Sequence, residues 1–167
     1  MSPAVVLLLA LGVCTVCEPG RGSQAPVRNG KDAPPGRYTT ESIRGRVVWL
    51  ADALRRLHGV QTDPDAEQWY VALETPQGQV FPIVKDARGR GFLIDERLRG
   101  INMELLVRRY EGGMIQVIRV YTIRDKRKYE LDYWCDVCAI PMFELKPCEC
   151  CQGPTRLRER PVEDEGH

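Results

Sequence analysis

The chain has 167 residues, with 24 Lys and Arg against 23 Asp and Glu and a formal net charge of +1. That length allows one compact core plus a dispensable end. The near balance of charge excludes a global field that would gather nucleic acid or an anionic membrane, so any such binding needs a local patch.

The chain opens MSPAVVLLLALGVCTVC, an uncharged apolar run from Ala4 to Cys17. A membrane span needs about 20 apolar residues and this run has about 14, which suits a signal-peptide core. Residues 1–25 are therefore read as a signal peptide or N-terminal anchor, and the protein as exported: periplasmic, envelope-associated or extracellular. Membrane contact is expected only through this segment. No Lys or Arg precedes the run, and the small residues Ser23 and Ala25 at cleavage offsets are followed by Pro26. Cys14 and Cys17 each follow a valine where a lipoprotein site wants a small residue, so lipidation is the lesser alternative. Residues 26–42, rich in Gly and Pro with few apolar side chains, cannot offset their chain entropy and are expected to be a disordered linker.

The β-barrel domain is expected over residues 43–134. Ile43 to Leu50 reads as the opening strand, with Gly45 allowing a bulge or a close backbone approach. Ala51 to His58 has helical spacing of Leu54 and Leu57, and Gly59 suits its C-terminal cap. Trp69–Thr75 and Gln79–Val84 read as a hairpin turned by Pro76-Gln77-Gly78, and Pro82 puts the second strand at an edge. Gly89 to Gly100 reads as a loop with a short helical turn. Strands follow at Met103–Tyr110 and Met114–Ile123, then a turn at Arg124–Arg127 and a strand at Lys128–Trp134. In that last strand Tyr129, Leu131 and Tyr133 share one face. The fold class is mainly β: a small OB-like barrel, or alternatively an SH3-like one, with one or two short helices.

Five cysteines crowd WCDVCAIPMFELKPCECC: Cys135, Cys138, Cys148, Cys150 and Cys151. Residues 135–162 thus form a cysteine-rich knuckle, ahead of a charged, proline-interrupted end from Arg158 that is expected to fray, with residues 163–167 as its tail. Thiolates two residues apart on a turn can both reach one metal, and zinc takes four in a tetrahedron. Cys135, Cys138, Cys148 and Cys151 are the preferred ligands, with Cys150 able to stand in for one of them. Disulfides are the competing reading, natural in an exported chain, although five is an odd number. Soft thiolates also suit Cu(I) and iron–sulfur clusters. A redox dithiol needs a helix after Cys135-x-x-Cys138, which Pro141 opposes, and Asp132 and Asp136 disfavour a thiolate.

The phrases GRVVWLADALRRLHG, VALETPQGQVFPIV and DYWCDVCAI followed by CECCQG resemble an uncharacterised family of exported bacterial proteins, over most of residues 44–161. The resemblance implies export and the cysteine cluster as one unit, and no activity.

Catalytic signals are absent: there is no G-x-S-x-G elbow, P-loop or H-E-x-x-H, and the histidines are His58, at a helix end, and the terminal His167. Acids such as Asp95-Glu96 read as solvated surface. Arg108, Arg109, Arg124, Lys126, Arg127 and Lys128, interleaved with Tyr121, Tyr129 and Tyr133, superficially resemble a nucleic-acid face. Strand aromatics are more often core, and export removes the substrate. The expectation is a non-catalytic exported binding or structural protein with a zinc-like thiolate site and a protein partner. The alternative is a disulfide-stapled extracellular interaction module.

Overall fold

A computed structural model describes residues 36–162. The signal-peptide or anchor reading of residues 1–25, most of the expected linker and the expected tail 163–167 lie outside the described residues. No described helix is long and apolar enough to cross a membrane.

The class is mainly β, as the strand-prone runs require. Eight strands of the described residues form one antiparallel sheet in the order β3-β2-β1-β4-β5-β6-β7, with β8 pairing β6 off that path. Strand β1 (Tyr38–Trp49) is central. Its first nine residues pair with β4 (Asn102–Tyr110), and Arg46–Trp49 pair with β2 (Val71–Glu74). Gly45 lies where the chain bends between these partners, and a Cβ there would collide with the Glu74 carbonyl. The expected hairpin is present: Thr75 N–H donates to the Gln79 carbonyl at 2.9 Å, Gly78 takes φ 78°, and the short β3 (Val80–Pro82) ends the sheet. Strand β5 (Ile115–Arg124) returns to β6 (Arg127–Cys135) through Asp125 and Lys126, both left-handed, the twist a two-residue hairpin needs.

The sheet is not closed by a second ladder. A single parallel bridge, Ile83 to Ile115, brings the β3 end to β5, with Val84 N–H donating to the Ile115 carbonyl at 2.8 Å. Closure stops there because β3 is three residues long and ends at Pro82, which has no N–H to extend a ladder. The arrangement is OB-like and partly open, with Val47, Leu73, Phe92, Leu105, Val107 and Ile115 fully buried or nearly so inside the curl.

Helix α1 (Leu50–His58) ends at the left-handed Gly59 as expected. Other boundaries differ from the sequence reading. The strand begins at Tyr38, not Ile43: Tyr38 to Ser42 is polar and mostly exposed, yet pairs residue by residue with Leu106 to Tyr110. The linker therefore ends before residue 38. Where a loop with a short helical turn was expected over Gly89–Gly100, the two-turn helix α2 (Ala87–Ile94) forms, capped by the Asp86 carboxylate accepting from the N–H groups of Arg88 and Gly89. Its glycines lower helix propensity but are needed for contact: a Cβ at Gly89 would collide with the Val84 carbonyl. A short 3-10 turn, Glu96–Leu98, follows. At the far end the expected frayed segment is instead strand β8 (Arg156–Pro161), paired to β6 from Tyr129 to Trp134. Its alternating charges are matched across the ladder by Asp132 and Glu130, which a reading of apolar periodicity does not detect. The cysteine segment is thus tied into the sheet.

Candidate metal centre

Strand β6 delivers the first ligand. Its period of two puts Cys135 on the side of Leu131 and Tyr133, and all three are buried. The chain turns back at once into β7 (Ile140–Met142), which pairs Cys135 with Ile140, so Cys138 sits in the hairpin turn. The second pair comes from the connection between β7 and β8. That connection lacks regular structure and is clamped to α2. Arg90 donates two hydrogen bonds to the buried Glu144, at 2.9 and 3.0 Å, and Arg88 lies 3.6 Å over the Phe143 ring. Gly91 faces the Phe143 carbonyl, where a Cβ would stand 2.8 Å away. Lys146 bridges Glu144 and Glu149, and the Thr155 hydroxyl donates to the Lys146 carbonyl at 2.8 Å.

The result brings four sulfurs together: Cys135, Cys138, Cys148 and Cys151 have their Sγ atoms within 4.8 Å of one another. Tetrahedral zinc with bonds of about 2.3 Å sets its sulfurs about 3.8 Å apart, so small rotations about χ1 complete the geometry. Among the described residues all five cysteines are free thiols. The Cys135 and Cys151 sulfurs stand 3.5 Å apart, well beyond the disulfide length of about 2.05 Å.

The two pairs are held by the same turn. After the first, Ala139 takes φ 54° and its N–H donates to the Cys135 carbonyl at 2.9 Å. After the second, Gln152 takes φ 58° and its N–H donates to the Cys148 carbonyl, also at 2.9 Å. Among the described residues only Asp125 and Lys126 are the other non-glycine residues with positive φ. A left-handed conformation costs a non-glycine residue roughly 1–2 kcal/mol, so its use in both turns reflects a demand of the turn itself. The turn aims backbone N–H groups at the leading sulfur: Cys138 N–H reaches the Cys135 Sγ at 3.4 Å.

Those N–H groups favour the thiolate of the leading cysteine in each pair. The backbone of Cys151 and of Cys150 pulls the Cys148 thiol down to about 7. On Cys135 the Cys138 N–H acts the same way, but burial and the Cys151 and Cys148 thiols outweigh it, and the net shift is upward. Cys138 is pushed well up by its neighbours, Cys150 first and Cys151 second. A cation at the centre reverses these upward shifts by stabilising every thiolate at once.

Cys150 is the expected cysteine that the structure leaves outside the group of four. It is exposed, midway along the second turn. Its presence also hides the symmetry in the sequence, because C-x-C-C masks the second C-x-x-C. Of the pair Asp95-Glu96, read from the sequence as solvated surface, Glu96 is exposed but Asp95 is not. Asp95 is buried, accepts from the Tyr133 hydroxyl at 2.6 Å and from Arg97, and is held at about 2, chiefly by the Arg97 hydrogen bonds. Asp132 is buried between Arg158 and Arg160, and Arg158 stacks 3.6 Å over Trp134. The basic residues singled out for nucleic acid are largely engaged: Arg109 with Glu41, Arg124 with Glu159, Lys128 with Glu104. Tyr133 is core.

No family model matches the chain, and no curated protein or solved structure matches it. The assignment rests on the site's own geometry.

Proposed function

We propose that the protein is a non-catalytic, exported binding and structural protein whose C-terminal segment is organised by one zinc ion on Cys135, Cys138, Cys148 and Cys151. The observation that carries this reading is the convergence of four thiols from two turns of one geometry. An all-sulfur set with no open position is the donor chemistry of structural zinc rather than catalytic zinc. Export is supported by the uncharged apolar run from Ala4 to Cys17. A protein partner is supported by apolar side chains left exposed along the cysteine segment, Val137 within the first turn and Phe143 and Leu145 between the two.

The test is elemental analysis of the full chain purified under mild reducing conditions without added metal, beside a thiol count after denaturation. About one zinc per chain with every thiol reactive is the expected result. The rival reading is an extracellular interaction module stapled by disulfides, which are natural in an exported chain. No metal, with a single reactive thiol among the five of the cysteine segment, would establish that rival.

A further inference from the structure

Arg56, Arg90, Arg97 and Arg156 each sit on a carboxylate, and hydrogen bonds to Glu74, Glu144, Asp95 and Asp136 in turn raise the pKa of each guanidinium. Arg88 differs from all of them. Its backbone N–H is taken by Asp86, but among the described residues its half-buried side chain forms no ion pair and no hydrogen bond. Burial accordingly lowers its pKa, with Asp86 and Glu130 opposing the shift more weakly. A half-buried charge without a partner carries a desolvation cost that an anion would offset.

Arg88 lines a cleft of about 310 Å³ between the start of α2, strand β5 and the chain after β7, together with Asp86, Arg108, Gln116, Ile118 and Phe143. The Phe143 ring lies 3.6 Å from the guanidinium carbon of Arg88 and covers one face of the group. A guanidinium stacked in this way keeps its N–H donors in its own plane, where a planar carboxylate accepts two of them side by side. Arg108 is also without a carboxylate: its one side-chain hydrogen bond among the described residues runs to the Gln116 side-chain oxygen at 3.4 Å. The acid of the cleft is already committed, since Asp86 caps α2 and accepts from the Gln116 amide at 2.9 Å. Two guanidiniums against one carboxylate leave the lining a single positive charge in excess, which suits a monoanion. The exposed Phe143 and half-buried Ile118 give it an apolar wall.

We infer that this cleft binds a monocarboxylate with an apolar body, either a free acid or the last residue of a peptide chain. The carboxylate takes the paired N–H donors of Arg88, with Arg108 as a second cation, and the apolar body lies against Phe143 and Ile118. No thiol lines the cleft. Phe143 does belong to the cysteine segment, so the inference rests on the proposed metal centre for the ordering of that wall.

The experiment titrates the full chain, its zinc content measured beforehand, with 3-phenylpropionate and with the neutral 3-phenylpropionamide, and follows the amide NMR signals. The acid is expected to bind with a dissociation constant on the order of millimolar for so small a ligand, shifting signals of residues 86–88, 116–118 and 143, and the amide about tenfold more weakly. Arg88→Gln and, on a separate strand, Arg108→Gln should each weaken the acid by about tenfold. Arg46→Gln, which removes an exposed guanidinium outside the cleft, should leave it unchanged. A tetrapeptide ending in phenylalanine separates the two sources: tighter binding than the small acid, lost on amidation, assigns the cleft to a chain terminus, and binding of the small acid alone assigns it to a free acid. Equal binding of acid and amide, or acid binding that survives both cleft variants, would overturn the inference. Absence of binding by a chain that carries its zinc would overturn it and leave the metal centre standing. Binding by a metal-free chain would uphold the cleft and overturn the zinc reading, and absence of binding by a metal-free chain would overturn both.

Discussion

The curled sheet of β1 to β5 and the segment from Phe143 to Thr155 are held together in different ways. In the first, Val47, Leu73, Leu105, Val107 and Ile115 are packed between neighbouring strands and helix α2. In the second, only Cys148 is a buried apolar side chain, and the chain is fixed by Glu144, Lys146, Thr155 and the thiols. The sheet is organised around its own apolar core, whereas the segment has ion pairs and a group of four thiols in place of one. One chain therefore contains a region with its own core and one conditional on those contacts.

Removing the metal should break that comparison most sharply. A structural zinc contributes on the order of 10 kcal/mol in apparent binding free energy, all of it available to order this segment. Chelation is expected to raise amide hydrogen exchange across residues 143–161 towards unprotected rates while leaving β4 and β5 protected. Uniform loss of protection would show that the sheet depends on the centre as well. The reverse experiment is Leu105→Ala, which should lower global stability by about 2–5 kcal/mol in denaturant titration. Metal stoichiometry should stay at one under native conditions, because Leu105 lies on β4 and not on the turns.

Glu144→Gln sharpens the boundary, since this residue joins the conditional segment to α2 through Arg90. Hydrogen bonds to a charged group contribute about 1.5–3 kcal/mol, and the half-exposed Arg90 places the expected loss near the lower end. The sign of its pH dependence follows from its acidity. Arg90 foremost, then Lys146, hold Glu144 at about 2 against an ordinary 4.5. Its contribution is complete above the ordinary value and is lost as pH falls from there through about 2. The wild type should lose stability across that acid window more steeply than the Gln variant, as chemical denaturation at a series of pH values would record. Smallest is Ala139→Gly. Glycine has no steric penalty at φ 54°, so thermal unfolding of the metal-loaded protein should shift upward by the equivalent of about 1 kcal/mol or less.

What could be read from the sequence divides along the same line. Where apolar residues alternate and turns carry their own residues, the reading and the structure agree: the Pro76-Gln77-Gly78 hairpin, the strand ending at the first cysteine, and Gly59 closing α1. The misses occur where structure comes from contacts that leave no periodic mark. Strand β8 pairs through Arg158, Arg160 and Glu159 with partners on β5 and β6. Helix α2 keeps glycines that lower its propensity because Val84 and Phe143 come too close for any side chain. Tyr38 to Ser42 becomes a strand because β4 supplies a complete edge. At the candidate site the cysteines announced themselves, but the repeated turn was concealed by Cys150, and nothing in the sequence marked Ala139 or Gln152 as left-handed. The burial of Asp95 and Glu144 was equally hidden, since their arginine partners are two and 54 residues away.

Strand β8 runs antiparallel to β6, with Pro161 beside Tyr129 and Arg156 beside Trp134. A pull on the carboxyl end therefore loads this ladder one rung at a time from Pro161 towards Arg156, the geometry of a zip fastener, which yields at low force. The tear then arrives at Cys151, whose sulfur lies 3.5 Å from that of Cys135 at the end of the strand it has just left. An ion seated there turns a soft edge into a mechanical stop, so extension of the tail would end abruptly at the second turn and leave the sheet behind it under tension but intact.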